Sequence, residues 1–191
     1  YVENGGFSGV NHFWLIWHEL THSYFNSMNA DALWLREGPS DALPTIMLEE
    51  LFNKINWNNT DFPYIPDLES DGLDNTYNYW LNVDTDENKI YSEKTACELI
   101  EPTSPDQNYI DNSNWGRSFL LDLSVQFGTT TVIKTLSTIY AKYRYTGLNK
   151  ITNKDFYDAF LYFVPQNNKT AASNQYQHGK AETLLKEKLC L

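Results

Sequence analysis

Two of the four histidines in the chain stand four positions apart, and a glutamate directly follows the first of them. They are His18 and His22 in the segment WHELTH, with Glu19 between them. On an α-helix, residues four apart lie on one face, so both imidazoles can bind one metal ion at about 2.0–2.1 Å. Glu19 lies about 100° around the helix from His18. It would therefore stand beside the metal, where a base that handles a metal-bound water belongs.

The same six residues are also compatible with an ordinary helix turn, because the HExxH pattern fixes only three positions. The flanking sequences favour a metal. They are apolar on both sides, FWLIW before the first histidine and SYF after the second. Two histidines on a largely buried helix are costly without a polar partner, and a metal ion is one such partner.

A catalytic zinc of this type keeps three protein ligands and leaves a fourth position for water, so a third ligand is required. His12 lies six residues before His18 and therefore on a different helix face. The better candidate is Glu37, in the segment LWLREGPSDAL. Asp41, four residues later, could accept a hydrogen bond from the far nitrogen of His18 and so fix its tautomer. The alternative for Glu37 and Asp41 is a solvated acidic pair, in a chain with 25 acidic residues.

Hydrophobic periodicity places these residues on two helices. The first is predicted over residues 10–28. The second is predicted to begin near Pro39, where a proline fits the first turn, and to run to about Ile55 with a kink at Pro44. The active-site helices thus fall within residues 10–55.

The rest of the chain is predicted to contain an irregular acidic connection, residues 56–113, followed by helices over residues 114–191. A short helix is expected near residues 92–100. The later helices are predicted at residues 115–128, ending at Gly128; at 129–144; at 154–163, opened by a capping box of Thr152 and Asp155; and at 180–189. The predicted class is mainly α, or α+β if the first residues form a small β element.

Length and composition restrict the chain to a few broad classes. Its 191 residues, 41% of them hydrophobic, can bury one core, so residues 1–191 are predicted to be a single domain or a fragment of one. A net charge of −11 argues against nucleic-acid and anionic-membrane partners. No apolar run reaches the length of a membrane span. The start at Tyr1, without methionine or signal-peptide pattern, suggests a processed form or a piece of a longer protein.

Only two cysteines occur, Cys97 and Cys190. They could form one disulfide, but the sequence leaves the pairing open. The absence of a CxxC pattern excludes a cysteine-based zinc site. An extracellular or cell-surface location is favoured over a cytoplasmic one, and the oligomeric state is left open.

HELTH followed by WLREG resembles the gluzincin zinc metallopeptidases, which include aminopeptidase-N-like and thermolysin-like enzymes. HELTHSYFN with DALWLREG is closer to the aminopeptidase-N-like pattern, whereas EGPSD is similar to the thermolysin-like ligand segment. The resemblance implies that His18, His22 and Glu37 are zinc ligands, Glu19 the general base, and Asp41 the carboxylate that orients a ligand. It also implies the helical half of a thermolysin-like catalytic domain.

The chain departs from the family pattern in several places. Fourteen residues separate His22 from Glu37, fewer than in the best-known members. Family members also have a β-sheet upstream of the active-site helix, whereas only seventeen residues precede His18 here. VENGG resembles the aminopeptidase segment that holds a substrate's free amino end, so Glu3 is a candidate substrate-binding residue although it lies close to the first helix.

The oxyanion donor of the family has no exact counterpart in this sequence. The family places a tyrosine just before the glycine of a later helix, and Ser113 stands at that place here. Tyr109, one turn earlier, is the candidate catalytic residue for this role, with a surface aromatic as its alternative. His178 is a further candidate.

The sequence thus predicts a zinc-dependent peptidase that acts on peptide or protein substrates, with aminopeptidase activity favoured over endopeptidase activity. The alternative is a catalytically silent module that keeps zinc as a structural or binding element of a larger protein. The intact Glu19 favours the enzyme, because a structural zinc site needs no base and would usually have four protein ligands.

Overall fold

The described part of the chain is built almost entirely of helices. The computed structural model describes residues 9–25, 30, 32–55, 94–99, 105–144, 150–164 and 171–191. The α-helices are α1 (Gly9–Phe25), α2 (Trp34–Ile55), α3 (Pro105–Phe127), α4 (Thr129–Tyr143), α5 (Asn153–Phe163) and α6 (Ala171–Leu189), with a short 3₁₀-helix at Ala96–Leu99. Within these residues the only β pairing is one bridge between Ala30 and Ile151. The predicted mainly α class is confirmed.

Three helices begin earlier than the sequence predicts. Helix α2 starts at Trp34 rather than near Pro39, because the turn at residues 32–33 already supplies carbonyl acceptors for the first amide groups. Helix α3 starts at Pro105, so residues 105–113 are helical and do not belong to the irregular connection. A proline is well suited to a first helical position, and the polar run that follows it conceals the helix from periodicity. Helix α6 likewise extends back to Ala171.

Two local signals in the sequence are confirmed by the backbone. Thr152 caps α5 by accepting a hydrogen bond from the amide of Asp155, while the Asp155 carboxylate accepts one from the Thr152 amide. Gly128 separates α3 from α4 and has φ of 90°, a left-handed conformation that glycine adopts at little cost. These residues therefore end and restart the helices at the predicted positions.

The core is organised around the antiparallel pair α2 and α3. At the start of α2, the indole of Trp34 contacts the rings of Trp115, Phe119 and Phe156, with ring centroids 5.2–5.5 Å apart. The buried Trp34 indole donates a hydrogen bond to Asn153 of α5, so its polar atom is satisfied. This cluster fixes the start of α2, three residues before Glu37.

The two helix backbones touch at a pair of glycines. A Cβ added to Gly116 would lie 2.8 Å from the Cα of Gly38 and 2.9 Å from the carbonyl oxygen of Trp34. A Cβ added to Gly38 would lie 2.7 Å from the Cα of Gly116. We call this the glycine crossing, and only glycine at both positions permits it.

Cys97 and Cys190 form a disulfide that joins the 3₁₀-helix to the end of α6. The carbonyl of Lys94, in the same segment, accepts a hydrogen bond from the indole of the buried Trp115. The disulfide thus ties this segment to α6, and the hydrogen bond to Trp115 ties it to α3. Among the described residues, no helix is long and apolar enough to cross a membrane.

Replacing Gly116 by alanine is predicted to destabilise the protein by about 1–3 kcal/mol, because the new methyl group meets backbone atoms that cannot move aside. Chemical denaturation monitored by circular dichroism measures the free energy of unfolding. The matched control is Gly179→Ala in α6, where nothing lies within 4 Å of the added Cβ. Alanine there should stabilise the helix by about 0.5–1 kcal/mol. Equal effects of the two substitutions would contradict the glycine crossing.

Candidate metal centre

The two histidines of WHELTH lie side by side on the face of α1 that packs against α2. Their rings are edge-on, with centroids 4.5 Å apart and planes at 88°. The Nε2 atoms of His18 and His22 are 2.9 Å apart. Both side chains are mostly buried, at 16% and 14% exposure. The helical spacing of four thus brings two imidazole nitrogens to one point, as predicted.

The far nitrogen of His22 is held by a hydroxyl group from α2. Its Nδ1 lies 2.9 Å from Oγ of Ser40, a residue with no solvent exposure. That hydroxyl also donates a 3.3 Å hydrogen bond to the carbonyl oxygen of Arg36. When that proton stays on the carbonyl, the hydroxyl accepts from Nδ1–H of His22; when it turns to the ring, the hydroxyl donates to a bare Nδ1. The first arrangement leaves the Nε2 lone pair of His22 available to a metal ion.

The far nitrogen of His18 is held by a carboxylate from the next turn of α2. Its Nδ1 lies 2.9 Å from Oδ1 of Asp41, the partner that the sequence predicts. The second carboxylate oxygen, Oδ2, accepts a short hydrogen bond from the hydroxyl of Ser113 on α3. Asp41 is 7% exposed, so both contacts are shielded from water. An ionised carboxylate only accepts, and His18 therefore carries a proton on Nδ1.

The two facing Nε2 atoms are close enough to share one proton or to bind one metal ion. If both Nδ1 atoms are protonated, the Nε2 lone pairs meet at 2.9 Å and repel each other unless a metal ion or a proton lies between them. Burial opposes a proton on His18, but the hydrogen bond to Asp41 and the negative charges of Asp41, Glu19 and Glu37 outweigh it. The pKa of His18 is consequently raised above its ordinary value. The site thus attracts positive charge.

Glu37 brings a buried carboxylate to the same place. Its Oε2 lies 3.7 Å from Nε2 of His22, and the residue is only 4% exposed. A tetrahedral zinc with bonds of 2.0–2.2 Å separates its ligand atoms by about 3.3–3.5 Å. The separation of the two Nε2 atoms, 2.9 Å, is shorter than that spacing, and the separation of His22 Nε2 from Glu37 Oε2, 3.7 Å, is longer. The donor set of two imidazoles and one carboxylate is one that zinc prefers.

The arrangement is not a closed metal cage. In the part of the chain that the structure describes, no group of three or more His, Cys, Asp or Glu side chains has a complete metal-binding geometry. To close around an ion, the two imidazoles must separate slightly and the Glu37 carboxylate must approach them. The chemistry of the donors fits zinc.

Glu19 lies beside this donor cluster and outside it. The residue is exposed on α1, on a different face from the two histidines. Its negative charge still contributes to raising the pKa of His18, so the carboxylate is close enough to interact with that imidazole electrostatically. Glu19 is therefore free to meet water or a substrate, as a base must be.

Of the remaining predicted site residues, the structure describes the side chain of His178, which lies away from the centre. The hydroxyl of Ser113 is committed to Asp41. His178 is on α6, which packs mainly on α5 and the 3₁₀-helix rather than on the α1–α2 pair. Tyr109 is a helical residue of α3, but its side chain lies outside the described part. Glu3 also lies outside the described residues.

Two residues of the centre were missed by sequence reasoning, Ser40 and Ser113. Ser40 comes three residues after Glu37 and directly before Asp41, so helical spacing alone puts it near the same face. No local pattern indicates the partner of Ser113, because 72 residues separate it from Asp41.

A comparison with known proteins finds no match. No family model, no curated protein and no solved structure resembles this chain significantly. The function of the protein is therefore inferred from the HExxH motif and from the contacts described above.

Replacing Asp41 by asparagine is predicted to lower the free energy of unfolding of the metal-free protein by about 1–3 kcal/mol. Two donors, His18 Nδ1–H and the Ser113 hydroxyl, point at this side chain, and asparagine offers only one acceptor oxygen. The measurement is denaturation in the presence of a chelator. Asp122→Asn, at an exposed position of α3, is the control and should change stability by less than about 0.5 kcal/mol. A neutral effect of Asp41→Asn would show that the buried carboxylate is not shared between these donors.

Proposed function

We propose that the protein is a zinc-dependent peptidase of the gluzincin type. The observation that carries the proposal is the meeting of His18 Nε2, His22 Nε2 and the buried Glu37 carboxylate, with the exposed Glu19 beside them. The proposed fold is correspondingly the helical half of a thermolysin-like catalytic domain. The mainly helical architecture supports it, and the order of α1 and α2 agrees with the resemblance.

The proposed cofactor is one zinc ion held by His18, His22 and Glu37. When bound, zinc lowers the pKa of a coordinated water to near 7 and polarises a carbonyl group. The chain's own residues prepare the site for it. Asp41 and Ser40 each offer an acceptor to a far imidazole nitrogen, so that with both Nδ1 atoms protonated the two Nε2 lone pairs are directed at one point.

Glu19 is the proposed general base. Its carboxylate takes a proton from the attacking water and then delivers that proton to the nitrogen of the leaving amine. The role is supported by the exposure of Glu19 and by its position directly after His18 on α1. General-base assistance of this kind contributes about 10²–10⁴-fold to a rate.

The proposed substrates are peptides or proteins, with aminopeptidase activity favoured over endopeptidase activity. This preference is supported by the resemblance of HELTHSYFN and DALWLREG to the aminopeptidase-N-like pattern. Glu3 is the proposed contact for a free amino group, and Tyr109 the proposed oxyanion donor. An extracellular or cell-surface location agrees with the disulfide between Cys97 and Cys190, since disulfides persist in oxidising compartments.

A second candidate is a catalytically silent module that keeps zinc as a structural or binding element. The contact between Ser113 and Asp41 favours it, because the position that resembles the family's oxyanion donor is used for another purpose. The exposed Glu19 favours the enzyme, because a structural site has no use for a carboxylate beside the metal.

Replacing Glu19 by glutamine is predicted to abolish most hydrolysis while leaving the zinc content near one per chain. The base is lost but the three ligands remain, so the rate should fall by about 10²–10⁴-fold. Peptide hydrolysis and elemental analysis of the same sample provide the two measurements. Glu187→Gln, at an exposed position of α6, should leave both unchanged. Full activity of the Glu19 variant would disprove its assigned role, and a wild type that binds zinc without hydrolysing peptides would favour the silent module.

Acetylating the amino end of a peptide substrate is predicted to stop its cleavage by the wild-type protein. An aminopeptidase must bind the free amino group, and acetylation removes both the charge and the space for that contact. Mass spectrometry of the products, with the free peptide as control, identifies which bond is cut. Continued cleavage of the acetylated peptide at an internal bond would identify an endopeptidase instead.

A further inference from the structure

We infer that Ser40 and Ser113 are positioning residues that set the tautomers of the two histidines and thereby the metal affinity of the site. The inference rests on the proposed zinc function for its consequence, but the tautomers themselves exist without metal. Neither serine touches the point where the two Nε2 atoms meet. Each acts through a group that does.

Ser40 acts directly on His22. Its hydroxyl lies 2.9 Å from Nδ1 of the ring and 3.3 Å from the carbonyl oxygen of Arg36. A serine inside a helix often donates a hydrogen bond to the carbonyl four residues earlier, and such a bond by itself does not indicate a functional role. Here the same bond has a further effect: with its proton on that carbonyl, the hydroxyl offers only lone pairs to the imidazole. In that arrangement the hydroxyl stabilises the Nδ1–H tautomer of His22, which leaves Nε2 available for a metal ion.

Ser113 acts on His18 through Asp41. Its hydroxyl donates to Oδ2, while Oδ1 of the same carboxylate lies 2.9 Å from Nδ1 of His18. With two oxygens each committed to one partner, the carboxylate cannot turn its plane freely. A fixed carboxylate holds the ring of His18 in one orientation with the proton on Nδ1.

The two serines come from different helices, and this difference has a consequence. Ser40 belongs to α2, like Glu37 and Asp41, so its position follows from the local helix. Ser113 belongs to α3 and reaches Asp41 only because the glycine crossing, three residues away on each helix, brings the two backbones together. Ser113 thus connects the packing of α2 on α3 to the orientation of a proposed metal ligand.

The first test is the zinc affinity of Ser40→Ala and Ser113→Ala, measured by competition with a chromogenic chelator. Loss of a hydrogen-bond partner of a metal ligand typically weakens metal binding by about 10–100-fold, and a loss in this range is expected for each variant. Ser124→Ala is the control, since this buried serine of α3 bonds only its own helix at Leu121. Ser113→Thr keeps the hydroxyl and should restore most of the affinity.

The second test needs no metal. Nitrogen-15 NMR of labelled histidines in the metal-free protein distinguishes Nδ1–H from Nε2–H in each neutral ring. The wild type should have the Nδ1–H form at His22, and Ser40→Ala should increase the Nε2–H form there. Should Ser40→Ala not fold, Ser40→Cys keeps the side-chain volume but offers a weaker acceptor. Ser113→Ala should broaden or shift the signals of His18 and leave those of His22 in place.

Unchanged tautomers together with unchanged zinc affinity in both alanine variants would overturn the inference. So would an effect of Ser124→Ala as large as theirs, because that would indicate a general loss of packing. If the wild type binds no zinc while the tautomers still respond to each serine, the proposed function fails and the positioning role stands. If zinc binds and the serines have no effect, the function stands and the positioning role fails.

Discussion

The candidate site depends on the close approach of α2 and α3 at Gly38 and Gly116. On these antiparallel helices, Trp34 meets Phe119 on one side of the crossing and Asp41 meets Ser113 on the other. Larger residues at the crossing would separate the backbones and break both contacts. One steric requirement therefore determines where the aromatic core ends and where the polar site begins. Glu37, the neighbour of Gly38, is buried at this boundary and cannot turn away into solvent.

The second constraint is electrostatic. Ser40 and Asp41 each lie against an Nδ1 atom, so the two Nε2 atoms face each other rather than another protein group. With a lone pair on both Nε2 atoms this arrangement costs free energy unless a cation lies between them, and the nearby Glu37 carboxylate adds to the attraction. Buried polar groups without a partner are rare in proteins because each costs several kcal/mol. The meeting of two imidazole nitrogens and a buried carboxylate is more informative than the HExxH pattern that first indicated it.

The neighbours within each half of the candidate site could be predicted from the sequence. Helical steps of four place His18 beside His22 on α1 and Glu37 beside Asp41 on α2. That α1 and α2 bring these two pairs together depends on the packing of the helices, which the steps do not determine. The start of α2 could not be predicted so well, since the buried Trp34 and the preceding turn, rather than Pro39, determine where it begins. The first turns of α3 were also missed, because a stretch rich in asparagine and aspartate has little helical preference and no apolar periodicity. The contact between Ser113 and Asp41 joins residues far apart in the sequence, so no local pattern predicts it.

The central claim is that His18, His22 and Glu37 bind one zinc ion. A crystal structure of the zinc-loaded protein, with anomalous scattering recorded at the zinc edge, tests it most directly. We expect a single anomalous peak about 2.0–2.2 Å from Nε2 of both histidines and from a carboxylate oxygen of Glu37. Asp41 and Ser40 should remain hydrogen-bonded to the Nδ1 atoms. A peak elsewhere, or one bound by the histidines without Glu37, would contradict it.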